Sequence, residues 1–154
     1  MKRINPAHVE RIKLLVNRCP YFQLLSMRLL AAEVGASLLE IDLERKHLQP
    51  FGIVHGGVFA SIVDAAAFWS IYYVLEDSRA GLTTVDLKLN YLAPAIRGKM
   101  NAAGRSIKLG RTVGYAEATV RDADGHLLAH GTSTVMVLPG KAIADAPPLP
   151  EKFI

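Results

Sequence analysis

Apolar residues recur along this chain with two different periods, and the change of period separates helices from strands. Ile12, Leu15, Val16 and Cys19 follow one another at helical spacing, behind Asn5-Pro6. Asn is a good N-cap and Pro suits the first helical position, so a helix with one apolar stripe is predicted over Pro6–Arg18, ended by Pro20. Residues 28–34 and 37–43 are apolar stretches on either side of Gly35-Ala36, the pattern of a hairpin. Residues 46–54 read as loop. From Leu82 the period is two: Val85, Leu87, Leu89 and Tyr91 alternate with Asp86, Lys88 and Asn90, as in a half-buried strand that Pro94 ends. Lys99–Leu109 and residues 112–121 flank Gly110, and Asp124-Gly125 leads into Leu127–Leu138. Three strands in succession joined by short turns predict an antiparallel meander.

Between the two sets of strands lies a segment that fits neither period. Residues 58–75 form an 18-residue run in which Asp64 is the only formally charged residue. A helix from 57 to about 76 that is apolar on all sides must be buried. The order is therefore helix, two strands, long buried helix, four strands. A sheet of five or six strands has one face to bury, and this helix is the only element apolar enough to fill it. The predicted class is α+β, a curved antiparallel sheet wrapped around a long central helix. The chain divides into an N-terminal helix (1–19), one main domain (20–138) and a tail (139–154) whose prolines predict an extended or disordered arm.

With 154 residues, 51% of them hydrophobic, the chain has the length and core of one domain. Its net charge of +4 is small and its basic residues are not bunched with aromatics, so no nucleic-acid partner is expected. The central run reaches the minimum length for a membrane span, but Asp64 in its middle and the amphipathic strands after it favour a helix enclosed by protein. No membrane partner is expected. The single Cys19, just before Pro20, excludes an internal disulfide, reads as inert packing or surface, and suits a cytoplasmic location. Five scattered His and one Cys make no zinc-type spacing, so no metal is expected.

The candidate chemistry sits at the start of the central helix. A lone carboxylate in an apolar run is costly to bury without partners or a task. Gly56 and Gly57, in His55-Gly56-Gly57, stand where loop becomes helix, and free N–H groups there can receive negative charge. A buried acid and such a helix start are parts of an acyl-transfer site. Asp64 lies eight residues after Gly56, about 12 Å along a helix. One reacting carbonyl cannot touch both groups of the same chain, so joint action demands two chains, a homodimer or dimer of dimers. The blander alternative is a structural Asp64 bonded to backbone or Ser61. Gly56 can equally serve a tight turn.

The series Gln49-Pro50-Phe51-Gly52-Ile53-Val54-His55-Gly56-Gly57, then Asp64, Thr84-Val85-Asp86-Leu87, Asn90-Tyr91-Leu92-Ala93-Pro94, Gly98, Leu109-Gly110-Arg111 and Ala129-His130-Gly131 resembles the PaaI-like acyl-CoA thioesterases of the hotdog-fold superfamily, which includes 4-hydroxybenzoyl-CoA thioesterase, over roughly residues 20–138. The resemblance implies hydrolysis of an acyl-CoA or aryl-CoA thioester without metal or cofactor. It implies that Asp64 is general base or nucleophile, that the Gly56 N–H polarises the carbonyl, and that Gln49 supplies an amide. Related enzymes pair Asn with Asp or Gln with Glu, whereas this chain pairs Gln with Asp. The hydroxyl that the second branch carries one turn after its acid is replaced by Phe68, while Thr84 matches the strand hydroxyl available to members with Asp. His55 either positions the loop or touches the thioester. Gly57 joins the substrate-binding helix start. Arg105, Lys108 and Arg111 around the Leu109-Gly110 turn, or Arg97 and Lys99, are the cations for the coenzyme A phosphates, or else an ordinary solvated surface. Phe59, Phe68, Trp69, Tyr72 and Tyr73 read as core. Two other functions belong to the same fold. A hydratase pairs its Asp with a His five residues later, where this chain has Trp69. A non-catalytic acyl-CoA-binding module fits the sequence as well.

Overall fold

The computed structural model describes residues 3–144 and 146–154. Its elements are α1 (Pro6–Arg18), α2 (Pro20–Leu24), β1 (Met27–Glu33), β2 (Ala36–Asp42), a 3-10 turn (Arg45–His47), α3 (Gly56–Tyr72), β3 (Gly81–Tyr91), β4 (Lys99–Leu109), β5 (Val113–Asp122) and β6 (Leu127–Leu138). The six strands form one antiparallel sheet in the order β1-β2-β4-β5-β6-β3. The sheet curves around α3, which packs against every strand. Ile62, Val63, Ala66, Ala67 and Ile71 of α3 are wholly buried, against Leu39, Met100, Ala102, Ala116, Ala118 and Val135 of the sheet. The small residues let helix and sheet approach closely. A Cβ on Gly104 would come within 2.1 Å of the Ala66 carbonyl oxygen. The Ser37 hydroxyl donates to that same oxygen at 2.6 Å, which fixes α3 over β2.

Three details differ from the expectation drawn from the sequence. Pro20 ends α1 but also opens the short helix α2, since proline suits a first helical turn. The central helix stops at Tyr72, not near Glu76. There the carbonyls of Tyr72 and Leu75 each accept from the Lys152 ammonium at 2.7 Å, and a cation at a helix C-terminus also complements the backbone dipole. β3 does not alternate cleanly. Its pairing with β6 shifts between Thr84 and Asp86, so Val85 is an extra, bulged residue and is 55% exposed. The bulge reverses the facing along the strand: Leu82 and Thr84 point towards α3 before it, Leu87 and Leu89 after it.

The arm 139–154 closes back on the molecule. Arg3 and Ile154 exchange two backbone hydrogen bonds, and the Asn5 N–H donates to the Lys152 carbonyl. Lys152 is 2% exposed, lies over the Tyr72 ring, and burial brings its pKa down to about 8. His8 of α1 is buried beside it, stacked on Tyr72, with Nδ1 2.9 Å from the Tyr73 hydroxyl. Burial, then the Lys152 charge, hold the His8 pKa below its usual 6.5. Between 6.5 and that lowered value the unfolded chain binds more protons than the folded one, so stability falls as pH falls through this window. Denaturant midpoints on either side of pH 6.5 check this, and His8→Gln is expected to flatten the slope. An unchanged slope in that variant would remove His8 as its source.

Candidate functional site

The helix start is built by the loop before it. Gln49-Pro50-Phe51-Gly52 is a turn in which the Gly52 N–H donates to the Gln49 carbonyl at 2.9 Å, and Gly52 has φ 82°, a conformation that suits glycine. Within it the Gln49 side-chain oxygen accepts from the Phe51 N–H. The amide NH2 of Gln49 donates to no group among the described residues. His47, wholly buried, ties the loop down: its Nδ1 accepts from the Glu44 N–H and its Nε2–H donates to the Leu25 carbonyl, each at 2.8 Å. The His47 carbonyl in turn accepts from the His55 N–H at 2.8 Å.

His55 is the N-cap of α3. Its Nδ1 accepts from the Gly57 N–H at 2.8 Å, which places the imidazole in the loop-positioning role and occupies the Gly57 donor. The Gly56 N–H donates to no group among the described residues. It is the donor left at the half-buried first position of the helix. Tyr91, at the end of β3, lies across this position. Its hydroxyl donates to the Gly56 carbonyl at 3.2 Å, and its ring meets Phe59 edge-on.

Asp64 is half-buried two turns further along α3. The Thr84 hydroxyl donates to its Oδ1 at 2.7 Å. Oδ2 accepts no hydrogen bond among the described residues. Ser61, the alternative partner, donates to the Gly57 carbonyl and bonds with the Tyr21 hydroxyl instead. The bulge at Val85 falls one residue after Thr84, so the contact to Asp64 sits where the strand is re-aimed. Asp64 lines a cavity of about 380 Å³ with Tyr21, Phe22, Phe68, Trp69 and Leu87. The carboxylate is thus oriented by one oxygen and faces a mostly apolar space with the rest, an arrangement that suits attack on, or proton removal near, an uncharged carbonyl.

Asp64, Thr84, Gly56, His55, Gln49 and Gly57 all lie on α3, the loop before it or the strand after it. The basic candidates do not join them. The Leu109–Gly114 end of the sheet packs near Ile71, about 22 Å along α3 from Gly56. Arg105 is paired with Glu117 at 2.5 Å, and that pairing, with His130, holds the Glu117 carboxyl below its usual pKa. Lys108 and Arg111 are exposed and form no ion pair among the described residues. Three potential metal-ligating residues meet elsewhere: Asp122, Asp124 and His126 bring their ligand atoms within 4.8 Å of one another, as parts of the β5–β6 turn that their mutual hydrogen bonds close. Sequence reasoning missed Tyr91 and His47 as parts of the site. Tyr91 stands inside the motif string, which hinted at it. Of the two ties of His47, that to the Glu44 N–H is local, but the one that anchors the loop, to the Leu25 carbonyl, spans 22 residues and leaves no mark in the sequence.

Residues 51–129 match the family model of the thioesterase superfamily. The human acyl-coenzyme A thioesterase 13 is 27% identical over 108 residues, 69% of this chain and 76% of that protein. A thioesterase family protein from Silicibacter pomeroyi superposes with a TM-score of 0.76 at 27% identity, covering 85% of this chain and 98% of the other. A thioesterase from Haemophilus influenzae shares the fold with a TM-score of 0.80 at 22% identity, covering 90% and 96%.

Proposed function

From the premise that this chain belongs to the thioesterase superfamily and is a thioester hydrolase, we propose that it cleaves the thioester of an acyl-CoA or aryl-CoA to the free acid and coenzyme A, with Asp64 as the reacting carboxylate. The observation that carries this reading is the 2.7 Å bond from Thr84 to Asp64 at the wall of an apolar cavity. Acting as base, Asp64 takes a proton from water while the hydroxide oxygen bonds to the thioester carbon. The carbonyl oxygen gains negative charge and is held by the Gly56 N–H, with the Gln49 NH2 within the same loop to orient it. The intermediate then expels the coenzyme A thiolate, which receives the proton. Acting as nucleophile, the Asp64 carboxylate attacks the thioester carbon and expels the coenzyme A thiolate, leaving an acyl–aspartyl anhydride; water then opens the anhydride to the free acid and the Asp64 carboxylate, and the proton it gives up goes to the thiolate. In a single turnover in heavy-oxygen water, heavy oxygen found in Asp64 rather than in the first acid released identifies an anhydride opened at the Asp64 carbonyl, an outcome that direct attack by water cannot give.

For both groups to act on one carbonyl, the distance between Gly56 and Asp64 along α3 means that a site would combine Gly56 and Gln49 of one copy with Asp64 and Thr84 of another. The sheet has two edges, and they differ. At β1 the side chain of Asn17 donates to the Leu29 carbonyl and accepts from the Leu29 N–H, which blocks that edge at its middle. The 11-residue β3 is open and carries exposed Val85 and Tyr91, with exposed Leu92 just beyond its end. An open edge with apolar side chains is a surface for a second copy. The lone free thiol supports a cytoplasmic setting. Among the described residues no helix is long and apolar enough to cross a membrane. Thiol release from a panel of acyl-CoA and aryl-CoA substrates tests the activity, and sedimentation tests the assembly. A strictly monomeric chain with full turnover would exclude the composite site.

A further inference from the structure

A second and larger cavity, of about 700 Å³, lies beside the one that Asp64 lines. Phe22, Phe68 and Trp69 belong to the walls of both. Beyond them the larger cavity runs between α1, the C-terminal half of α3 and the arm, past Leu15, Cys19 and Tyr72, and is roofed by small or apolar arm residues such as Ala142 and Leu149. We infer that this cavity holds the acyl tail of the substrate, that the tail is a medium-length aliphatic chain, and that the arm is the element that sets its length. The inference rests on Asp64 being the reacting group and on the tail passing between the side chains of Phe22, Phe68 and Trp69, which both spaces share.

Three observations support it. The direction is right: from Asp64 to Tyr72 is about 12 Å along α3, a span that an acetyl group or a single aromatic ring leaves empty and an aliphatic chain fills. The lining is right: the wall near Asp64 is Phe, Trp and Leu, and a ligand that buries apolar surface there gains from each methylene. The roof is held in place by contacts that have no part in the chemistry. The Lys152 ammonium on the Tyr72 and Leu75 carbonyls and the Arg3–Ile154 pairing fasten the end of the arm, while arm residues such as Ala142, Ile143 and Leu149 line the space. His8, at the same wall, has its pKa lowered and so favours the neutral form that an apolar ligand tolerates.

The sole cysteine provides a readout that does not need turnover. Cys19 lines the larger cavity and is half-buried with a free thiol. Its alkylation by iodoacetamide, followed by intact mass, is expected to slow with dodecanoic acid in proportion to the sites filled, and to stay unchanged with acetic acid. Leu15→Trp, which places an indole in the cavity, is expected to lower kcat/KM for dodecanoyl-CoA relative to butyryl-CoA by about tenfold or more, the scale of a single methylene lost from a pocket. Alkylation at one rate with and without dodecanoate overturns the inference. So does a Leu15→Trp enzyme that loses activity equally on both substrates. A chain that hydrolyses no acyl-CoA at all overturns the proposed hydrolysis, and the alkylation result still decides whether the cavity takes an aliphatic chain.

Discussion

Asp64→Asn is expected to lower turnover by about 100-fold or more, within the usual contribution of a positioned acid–base group. The substitution keeps the volume and an oxygen for Thr84 to donate to, so the 2.7 Å contact that orients the side chain has a counterpart in the variant. What it removes is the charge, and with it the capacity to take a proton from water or to attack a carbonyl. Because Asp64 is half-buried and faces a cavity, its loss creates no void in the core, and the melting temperature is expected to stay close to that of the parent. Thiol release on the best substrate, with a thermal melt alongside, is the measurement. A variant that folds and turns over at a near-normal rate makes Asp64 a structural acid and ends the proposed mechanism.

Much of this site is legible in the sequence because its signals are local. Asp64 stands out as the one charge in an apolar run, and His55-Gly56-Gly57 marks a helix start, so the distance between them follows from helix geometry alone. The strands are legible for the same reason, since a period of two needs only neighbours. The features that escape a reading of the sequence depend on partners far apart in the chain. The end of α3 is set by Lys152, 80 residues after Tyr72, so no feature near Glu76 announces it. The bulge at Val85 interrupts a pattern that looks unbroken, and its effect is to let Thr84 and Leu87 share a face. Thr84 stands out by resemblance rather than by spacing, and the bulge is the physical reason that a hydroxyl at that position meets the helix. The two roles open to His55 in the sequence differ only in where its ring points. The bond to the Gly57 N–H is a matter of side-chain conformation that spacing cannot supply.

Gly56→Pro is expected to lower turnover by about 100- to 1000-fold, the range for losing one oxyanion donor, while the fold is kept. Gly56 is the first residue of α3, where proline is well tolerated and its missing N–H costs no helical bond. The residue before it, His55, already has φ −61° and ψ 136°, the extended conformation that precedes proline. The substitution therefore deletes the proposed donor with little demand on the backbone. It also adds a Cβ, which would lie 3.1 Å from the Tyr91 hydroxyl. Gly56→Ala adds the same atom and keeps the N–H, so the difference between the two variants isolates the donor. Tyr91 is 58% exposed and can shift, and the alanine enzyme is expected to retain most of its activity. Mixing the proline variant with Asp64→Asn then tests the composite site. In a hybrid dimer one site receives both intact groups and the other neither, so free exchange at equal amounts is expected to restore about a quarter of the sites. Equal activity in the alanine and proline enzymes would show that the Gly56 N–H holds no oxyanion, and no recovery despite demonstrated exchange would show that Gly56 and Asp64 do not act across two chains.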